Sequence, residues 1–465
     1  MIDGLKPYSA YKDSGVSWLG EVPAHWDIGP GFSMFREKKV KNTGMIESQV
    51  LSLSYGRIVI KPPEKLHGLV PASFETYQIV NPDDIIIRPT DLQNDWNSLR
   101  VGLTRDRGII TSAYMCLRTV EPTIPEYGYL LLHAYDLKKI FYGMGSGLRQ
   151  NLDFSNLKRM PVLIPPVEEQ HAIAAFLEDH DRLTRRYIRA QRRLIELLTE
   201  QKQTLIQQAV TRGLDLDVPL KDSGIEWLGE IPELWDERPA KYFFREVDER
   251  SQSGEEELLS VSHITGVTPR SQKNVTMFKA ESYVGYKLCQ KNDLVINTMW
   301  AWMAALGVAK QTGIVSSSYA VYRPIDPDAF VPEYVDHLLR TKPYVSEYIC
   351  RSTGIRASRL RLYPEQFLKI PLICPPYEQQ KRIAKFVEGE TFQVDHAITR
   401  TQRQIDLVRE YRTRLIADVV TGKLDVRGVS LPDLDEAIGL GDLDDMEDNT
   451  ELDDLDAEEW DDADD

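Results

Sequence analysis

Two stretches of the chain carry apolar residues at helical spacing over an unusual length, and each follows a Pro-Pro pair, Pro165-Pro166 and Pro375-Pro376. Proline suits a helix entrance, where a missing N–H costs little, and Glu168, Glu169 and Glu378 suit the positive end of the helix dipole. Neither Gly nor Pro then interrupts the first stretch until Gly213, and Gly389 alone interrupts the second before Gly422. Roughly 40 helical residues reach about 60 Å, longer than a small domain is wide. Leu177, Ile188, Ile195, Leu198 and Leu205 form one stripe of the first helix, and the positions 210 residues on are Val387, Ile398, Ile405, Val408 and Leu415. Such a stripe is either ordinary core or the seam of two helices packed as a coiled coil, and the match between the stripes favours the seam.

The pattern is duplicated in detail. Lys12 to Asp27 reads KDSGVSWLGEVPAHWD and returns from Lys221 to Asp236 as KDSGIEWLGEIPELWD. Pro161 to Glu178 is answered by Pro371 to Glu388, and Leu205-Ile206 with Val210-Thr211 by Leu415-Ile416 with Val420-Thr421. Internal repetition of this kind fixes architecture before any single element does. Between the matched markers the halves diverge, with faint echoes such as Leu51-Ser-Leu-Ser54 against Leu259-Ser-Val-Ser262. A kept frame beside a diverged interior suggests two readers of different targets on one scaffold. The interiors, about 28 to 160 and 237 to 370, read as mixed α/β. Asp84 to Ile87 and Asp293 to Ile296 resemble buried strands, while Pro125 to Tyr142 and Pro332 to Ile349 carry helical spacing. The expected fold is two α/β (α+β) domains separated by two long antiparallel helices in a coiled coil, with a pseudo-two-fold repeat.

At 465 residues the chain is long enough for two or three domains. No run of about 18 apolar residues is present, and the opening MIDGLKPYSAYKDSG has no apolar stretch behind a basic start, so a cytoplasmic protein is expected. Cys116, Cys289, Cys350 and Cys374 lie far apart without CxxC spacing, suggest neither zinc nor a disulfide framework, and read as buried thiols. The net charge of −16 is a property of the tail. Eighteen of the 72 Asp and Glu fall between Asp433 and Asp465, where there is no Lys or Arg, leaving 54 against 56 Lys and Arg in the body. A body near +2 does not decide about nucleic acid in either direction. The tail is too charged to bury a core, so residues 428–465 are expected to be an acidic disordered extension. It either solubilises the protein or imitates phosphate toward a basic surface, and Leu443, Leu452, Leu455 and Trp460 would suit partner binding.

Enzyme chemistry has no clear carrier. Cys374-Pro-Pro-Tyr377 lacks the carbonyl-bearing residue with which adenine methyltransferases hold their target amino group, and its repeat partner is Ile164-Pro-Pro-Val167. Gly143-x-Gly-x-Gly147 lacks the order of a dinucleotide loop; there is no Walker loop and no Ser-His-Asp signature. No catalytic residue, metal site or cofactor of this chain's own is expected.

A Trp-Leu-Gly-Glu-x-Pro-x-x-Trp opening, a diverged domain, a Pro-Pro-x-Glu-Gln helix entrance and a long helix, followed by the whole series again, resembles the specificity subunit of type I restriction-modification systems. The resemblance covers residues 8 to about 427. It implies target recognition domains at 1–165 and 213–375 and spacer helices at 166–212 and 376–427. In that family each variable domain reads one half of a split DNA site. The helices separate the domains and dock two methyltransferase subunits, and two motor-nuclease subunits complete the restriction enzyme. Those partners are expected to use S-adenosylmethionine, ATP and Mg2+. A scaffold that organises protein partners without reading sequence is the alternative that the duplication also allows.

Base readout needs Arg, Lys, Asn or Gln at base edges, whereas phosphate contacts only position the protein. In the first domain Arg88 to Arg100 and Gly145 to Asn151 are loop-like and rich in such groups; in the second, Asn297 to Trp302 and Ser352 to Arg361 take similar places. Arg149 with Gln150 and Asn151, and Arg356 with Ser358 and Arg359, follow glycines that allow close backbone approach. An ordinary solvated turn is the other reading of both. Tyr55, Arg57, Asn94, Trp96, His263, Asn297, Trp300 and Trp302 complete the DNA-binding candidates. Arg182, Arg185, Arg186, Arg189, Arg192 and Arg193 spread over several helix faces, as a solvated surface would; docking of the methyltransferase subunits or phosphate contact is the other reading.

Overall fold

The apolar runs of the first interior fold as short strands that pair antiparallel. The computed structural model describes residues 5–62, 73–92, 95–96, 98–144, 151–215, 217–272, 282–354 and 360–429. The chain forms two compact units, one of residues Met1–Ala190 with Gln404–Asp465 and one of Gln191–Arg403.

In the first unit β1 (Tyr11–Asp13) and β2 (Glu21–Pro23) make a small hairpin, and β3 (Asp27–Pro30) leads into β4 (Phe35–Lys38). A second hairpin, β5 (Leu51–Ser54) and β6 (Arg57–Ile60), precedes β7 (Gln78–Val80), β8 (Ile85–Ile87), β9 (Val101–Leu103), β10 (Gly108–Ile110) and β11 (Met115–Thr119). The main sheet runs β4-β11-β8-β9, with β7 and β10 paired beside it. Alternation sends Ile85 and Ile87 to the cluster that holds Leu131 and Leu132 of α1 (Pro125–Leu137), and Ile86 to Leu51, Val80 and Ile110 on the other face. After α2 (Phe154–Arg159), capped by Asp153 and Asn156, β12 (Pro161–Ile164) returns to pair with β3.

The helix predicted over Pro125 to Tyr142 is shorter: Lys139 is left-handed, with φ +57°, and a 3-10 turn follows at Ile140–Gly143. The long helix α3 (Val167–Arg212) then runs for 46 residues.

The second unit has β13 (Leu220–Asp222), β14 (Glu230–Pro232), β15 (Asp236–Pro239) and β16 (Phe244–Val247). The hairpin β17 (Leu259–Ser262) and β18 (Gly266–Pro269) is followed by β19 (Lys287–Cys289), β20 (Leu294–Ile296), β21 (Leu306–Val308), β22 (Gly313–Val315) and β23 (Ala320–Pro324). Its main sheet runs β16-β23-β20-β21, element for element the order of the first unit. The span predicted as one helix from Pro332 to Ile349 is two, α4 (Pro332–Leu339) and α5 (Lys342–Arg351). Pro343 cannot donate to a preceding turn, so Thr341 is extended and the helix restarts. Then come α6 (Pro364–Phe367), β24 (Pro371–Cys374) paired with β15, and the 44-residue α7 (Tyr377–Val420).

Gly389 does not break α7, but the helix stops at Val420, short of the expected 427. Gly422 sits at φ +75°, and a Cβ there would lie 2.4 Å from Pro23 Cδ. The chain turns onto the first unit's core instead: Val426 is buried, and Asp425 N donates to Lys6 O at 2.7 Å.

Each unit thus includes parts of both long helices. In the first, Leu415, Ile416, Val419 and Val420 of α7 join the cluster of Trp26, and Arg412 Nε donates to Asp181 Oδ1 at 2.6 Å. In the second, Ala209 and Val210 of α3 join the cluster of Trp235, and Lys202 Nζ donates to Asp395 at 2.6 and 2.7 Å. Leu177, Val387, Ile405 and Leu415 of the stripes are buried, and Ile188, Ile195, Leu198, Leu205, Ile398 and Val408 half-buried. Within the arginine run, Arg182 pairs with Asp179, Arg185 with Asp181 and Arg193 with Glu196; Arg182 and Arg193 are exposed, and Arg185, Arg186, Arg189 and Arg192 half-buried.

Burial holds for Cys116 and Cys289, whose thiols it pushes up to about 12, and in part for Cys374; Cys350, near the end of α5, is exposed. Among the described residues no helix is long and apolar enough to cross a membrane, and no cluster of His, Cys, Asp and Glu could hold a metal. The tail predicted over 428–465 lies outside the described residues from Ser430 onward.

Candidate nucleic-acid interface

The last two strands of each main sheet, in sheet order, are joined by a loop: residues 88–100 between β8 and β9, and 297–305 between β20 and β21. Both loops stand out in the sequence by their polar and aromatic content, and both are held by their own side chains in ways this content does not reveal. Loops on a rigid sheet are where recognition residues tend to sit.

In the first unit the holder is Arg100. Its side chain is 0% exposed. The guanidinium donates to Thr90 O at 2.6 Å, Asp95 O at 2.6 Å and Asp91 O at 3.1 Å, while Nε donates to the Tyr142 hydroxyl at 3.1 Å. Tyr142 in turn donates to Asp95 O at 2.9 Å, and Arg100 N donates to Asp136 Oδ2 at 2.6 Å. Burial raises the Asp136 carboxyl above its ordinary range, against the pull of that N–H. Asp95 also caps Ser98 N and pairs with Arg88 at 3.3 Å. Its carboxyl titrates low, burial being offset by the Ser98 bonds and the two arginines.

On this base Trp96 stacks on the Tyr142 ring at 4.6 Å, with 54% of its surface exposed. Asn151 Oδ1 accepts from Asp91 N at 3.2 Å, and Leu152 N donates to Pro89 O at 2.9 Å. The segment that returns from residues 145–150 is therefore stitched to the same loop.

The β5–β6 hairpin joins them. Tyr55 and Gly56 both have positive φ, the two-residue turn that matches strand twist. A Cβ on Gly56 would lie 3.2 Å from the Leu99 side chain, so Tyr55 and Arg57 stand beside the far end of the loop.

Among the described residues of the second unit, uncharged side chains hold the corresponding place. Asn297 Oδ1 accepts from Met299 N, Thr298 Oγ1 donates to Ser318 O, and Trp302 Nε1 donates to Met299 O at 2.9 Å. Asn297 is only 3% exposed, so it shapes the loop and does not present an amide to a ligand, against the expectation for it. Trp300 and Trp302 stack at 5.9 Å and are half-buried. Leu362 N donates to Thr298 O at 2.8 Å, which ties the segment after residues 355–359 to this loop as Leu152 does in the first unit. His263 lies in the hairpin turn, where Arg340 donates to the His263 and Ile264 carbonyls at 2.6 and 2.8 Å.

Asn94, Arg149, Gln150, Arg356, Ser358 and Arg359 lie outside the described residues. Of the rest, Trp96 and Asn151 belong to one loop mesh in the first unit, with Tyr55 and Arg57 flanking the Gly56 turn beside Leu99, and Trp300 and Trp302 stack in the other. Arg100 closes a stretch that the sequence marks as polar but is not itself among the candidates, and neither are Tyr142 and Arg340. A lone arginine between Leu99 and Val101 carries no sign in the sequence that the fold will close over it.

A profile of the type I restriction modification DNA specificity domain matches residues 101–197. The MjaVIII type I restriction enzyme specificity subunit of Methanocaldococcus jannaschii is 22% identical over 372 residues, covering 75% of this chain and 82% of the relative. This chain is a relative of type I specificity subunits. The putative MjaX specificity subunit of the same organism is 25% identical over 320 residues, 65% of this chain and 69% of its own length. A chain from a solved type I restriction-modification system, described for its complex assembly and conformational transition, shares the fold with a TM-score of 0.60 at 14% identity. That likeness covers 86% of this chain and 98% of the other. The profile that matches is named for DNA specificity, and the MjaVIII and MjaX relatives are both named as specificity subunits of restriction enzymes.

Proposed function

We propose that this chain reads a split DNA site, one block of bases per unit, for a type I restriction-modification complex. The observation that carries this is the pairing of one strand order with two differently built loops: β4-β11-β8-β9 and β16-β23-β20-β21 agree, while the Arg100 loop and the Asn297 loop do not. A shared frame with private reading loops is what two different targets require. The DNA-facing residues in this reading are Tyr55, Arg57, Trp96 and Asn151 with Asn94, Arg149 and Gln150 in one unit. In the other they are Trp300 and Trp302 with His263, Arg356, Ser358 and Arg359.

The long helices act as the spacer. Their stripes at Leu177 to Leu205 and Val387 to Leu415 support an antiparallel coiled coil, as do the Arg412–Asp181 and Lys202–Asp395 pairs within the separate units. On their outer faces two methyltransferase subunits dock, and two motor-nuclease subunits join them. The partners bring S-adenosylmethionine, ATP and Mg2+, and the complex works in the cytoplasm.

Selection from random duplex DNA with the reconstituted methyltransferase complex tests this reading. A consensus in two blocks separated by an unselected gap is expected. No enrichment would replace it with a protein scaffold that reads no sequence.

A further inference from the structure

We infer that Arg100 is a positioning residue for base selection by the first unit, an inference that rests on the DNA-reading function proposed above. The loop it serves runs from Arg88 to Arg100 between two strands of only three residues each. Loops of this length without secondary structure are uncommon in compact domains unless they have a function of their own. Left to itself this one would sample many conformations, and a reader that must order itself on each encounter loses both affinity and discrimination.

The chain removes that freedom from inside. A guanidinium offers five N–H donors in a fixed planar fork. Here Nη1 takes Thr90 O, Nη2 takes Asp91 O and Asp95 O, and Nε takes the Tyr142 hydroxyl. The Tyr142 hydroxyl closes the ring by donating to Asp95 O. Asp91, at φ +61°, is held in a conformation that a residue with a Cβ rarely adopts, and its N–H is met by Asn151 Oδ1. The outer surface of this mesh is Trp96, stacked on the Tyr142 ring. Arg100 therefore touches no ligand itself. It sets where Trp96, Asp91 and Asn151 stand.

Among the described residues the device belongs to one unit. At the same place in the second sheet, residues 297–305 are ordered by Asn297, Thr298 and Trp302, with no arginine among those bonds. A feature needed only to stabilise the shared frame would be expected in both units. One that belongs to a single reading loop should affect a single half of the DNA site.

Lysine is the informative replacement, because it keeps the charge and most of the length but presents one ammonium in place of the fork. The measurement is selection from random duplexes with the full chain assembled with its methyltransferase subunits, comparing wild type, Arg100→Lys and Tyr142→Phe. Tyr142→Phe keeps the ring under Trp96 and removes only the hydroxyl, so it remains informative if Arg100→Lys does not fold. Each variant is expected to lose base preference in one block of the consensus, with enrichment there falling at least tenfold, while the other block keeps its sequence. Two unchanged blocks in a folded variant would overturn the inference, and so would equal weakening of both blocks, the mark of a general stability defect. Absence of any two-block consensus for the wild type would instead overturn the function on which it rests.

Discussion

His133 on α1 ties the first unit's stability to pH. Its ring is buried, and burial pushes the imidazole from 6.5 down to about 4, with Arg412 acting in the same direction and Asp181 opposing. The unfolded chain therefore binds a proton that the folded chain refuses between pH 6.5 and about 4. Stability from this group is complete above 6.5 and falls as the pH drops through that window, by on the order of 3 kcal/mol in all. Chemical denaturation at pH 7 and pH 4.5 checks this. The loss between the two is expected to be smaller in His133→Phe than in wild type by roughly 2 kcal/mol, and an equal loss would exclude His133 as a source. Glu169 shows the same dependence of a residue on its surroundings. Its place in the sequence suits a charge for the helix dipole, yet it is buried and accepts from Trp26 Nε1 at 2.8 Å, His25 Nε2 at 2.6 Å, Tyr8 at 3.2 Å and Arg427 at 3.1 Å. In the second unit Gln379 accepts from Trp235 Nε1 at 2.9 Å, which explains why an uncharged residue suffices there.

Two glycines of the second long helix and its end have opposite expected effects when replaced. Gly389 lies inside α7 with nothing within 4 Å of the place a Cβ would take, so Gly389→Ala should stabilise by up to about 1 kcal/mol through helix propensity. At Gly422 the added carbon meets the Pro23 ring and Trp26 at a positive φ, and Gly422→Ala should destabilise by roughly 2 kcal/mol or more. Urea midpoints of the two variants settle both signs. The long helices are legible in the sequence because their signals are local: a Pro-Pro entrance, an apolar stripe and the scarcity of breakers. The end of α7 is not, since Gly422 stops the helix by fitting against Pro23 and Trp26, far away in the chain. For the same reason the strands of the interiors can be placed, whereas the loops that matter most can be marked as polar but not understood. Arg100 and Tyr142 work through backbone carbonyls brought near by the fold, and Asn297, a plausible reader by type, is turned inward by its bond to Met299 N.

Across its described residues the chain repeats one architecture and varies the surface it offers. The strand order recurs, the frame tryptophans Trp26 and Trp235 sit in matching cores, and each core is completed by the end of a long helix, α7 for one and α3 for the other. This interlocking makes neither unit a free-standing segment of sequence, and it gives the helices a part in both. If the helices are a stiff spacer, the two blocks of the DNA site must stand at a constant interval and a constant angle about the duplex axis. Each added base pair moves the second block by about 3.4 Å and turns it by roughly 35°. The decisive measurement is the affinity of the assembled complex for duplexes that carry both selected blocks, with the gap between them lengthened or shortened by two base pairs. At least a tenfold loss for either change is expected, and equal affinity at all three gap lengths would contradict a rigid spacer.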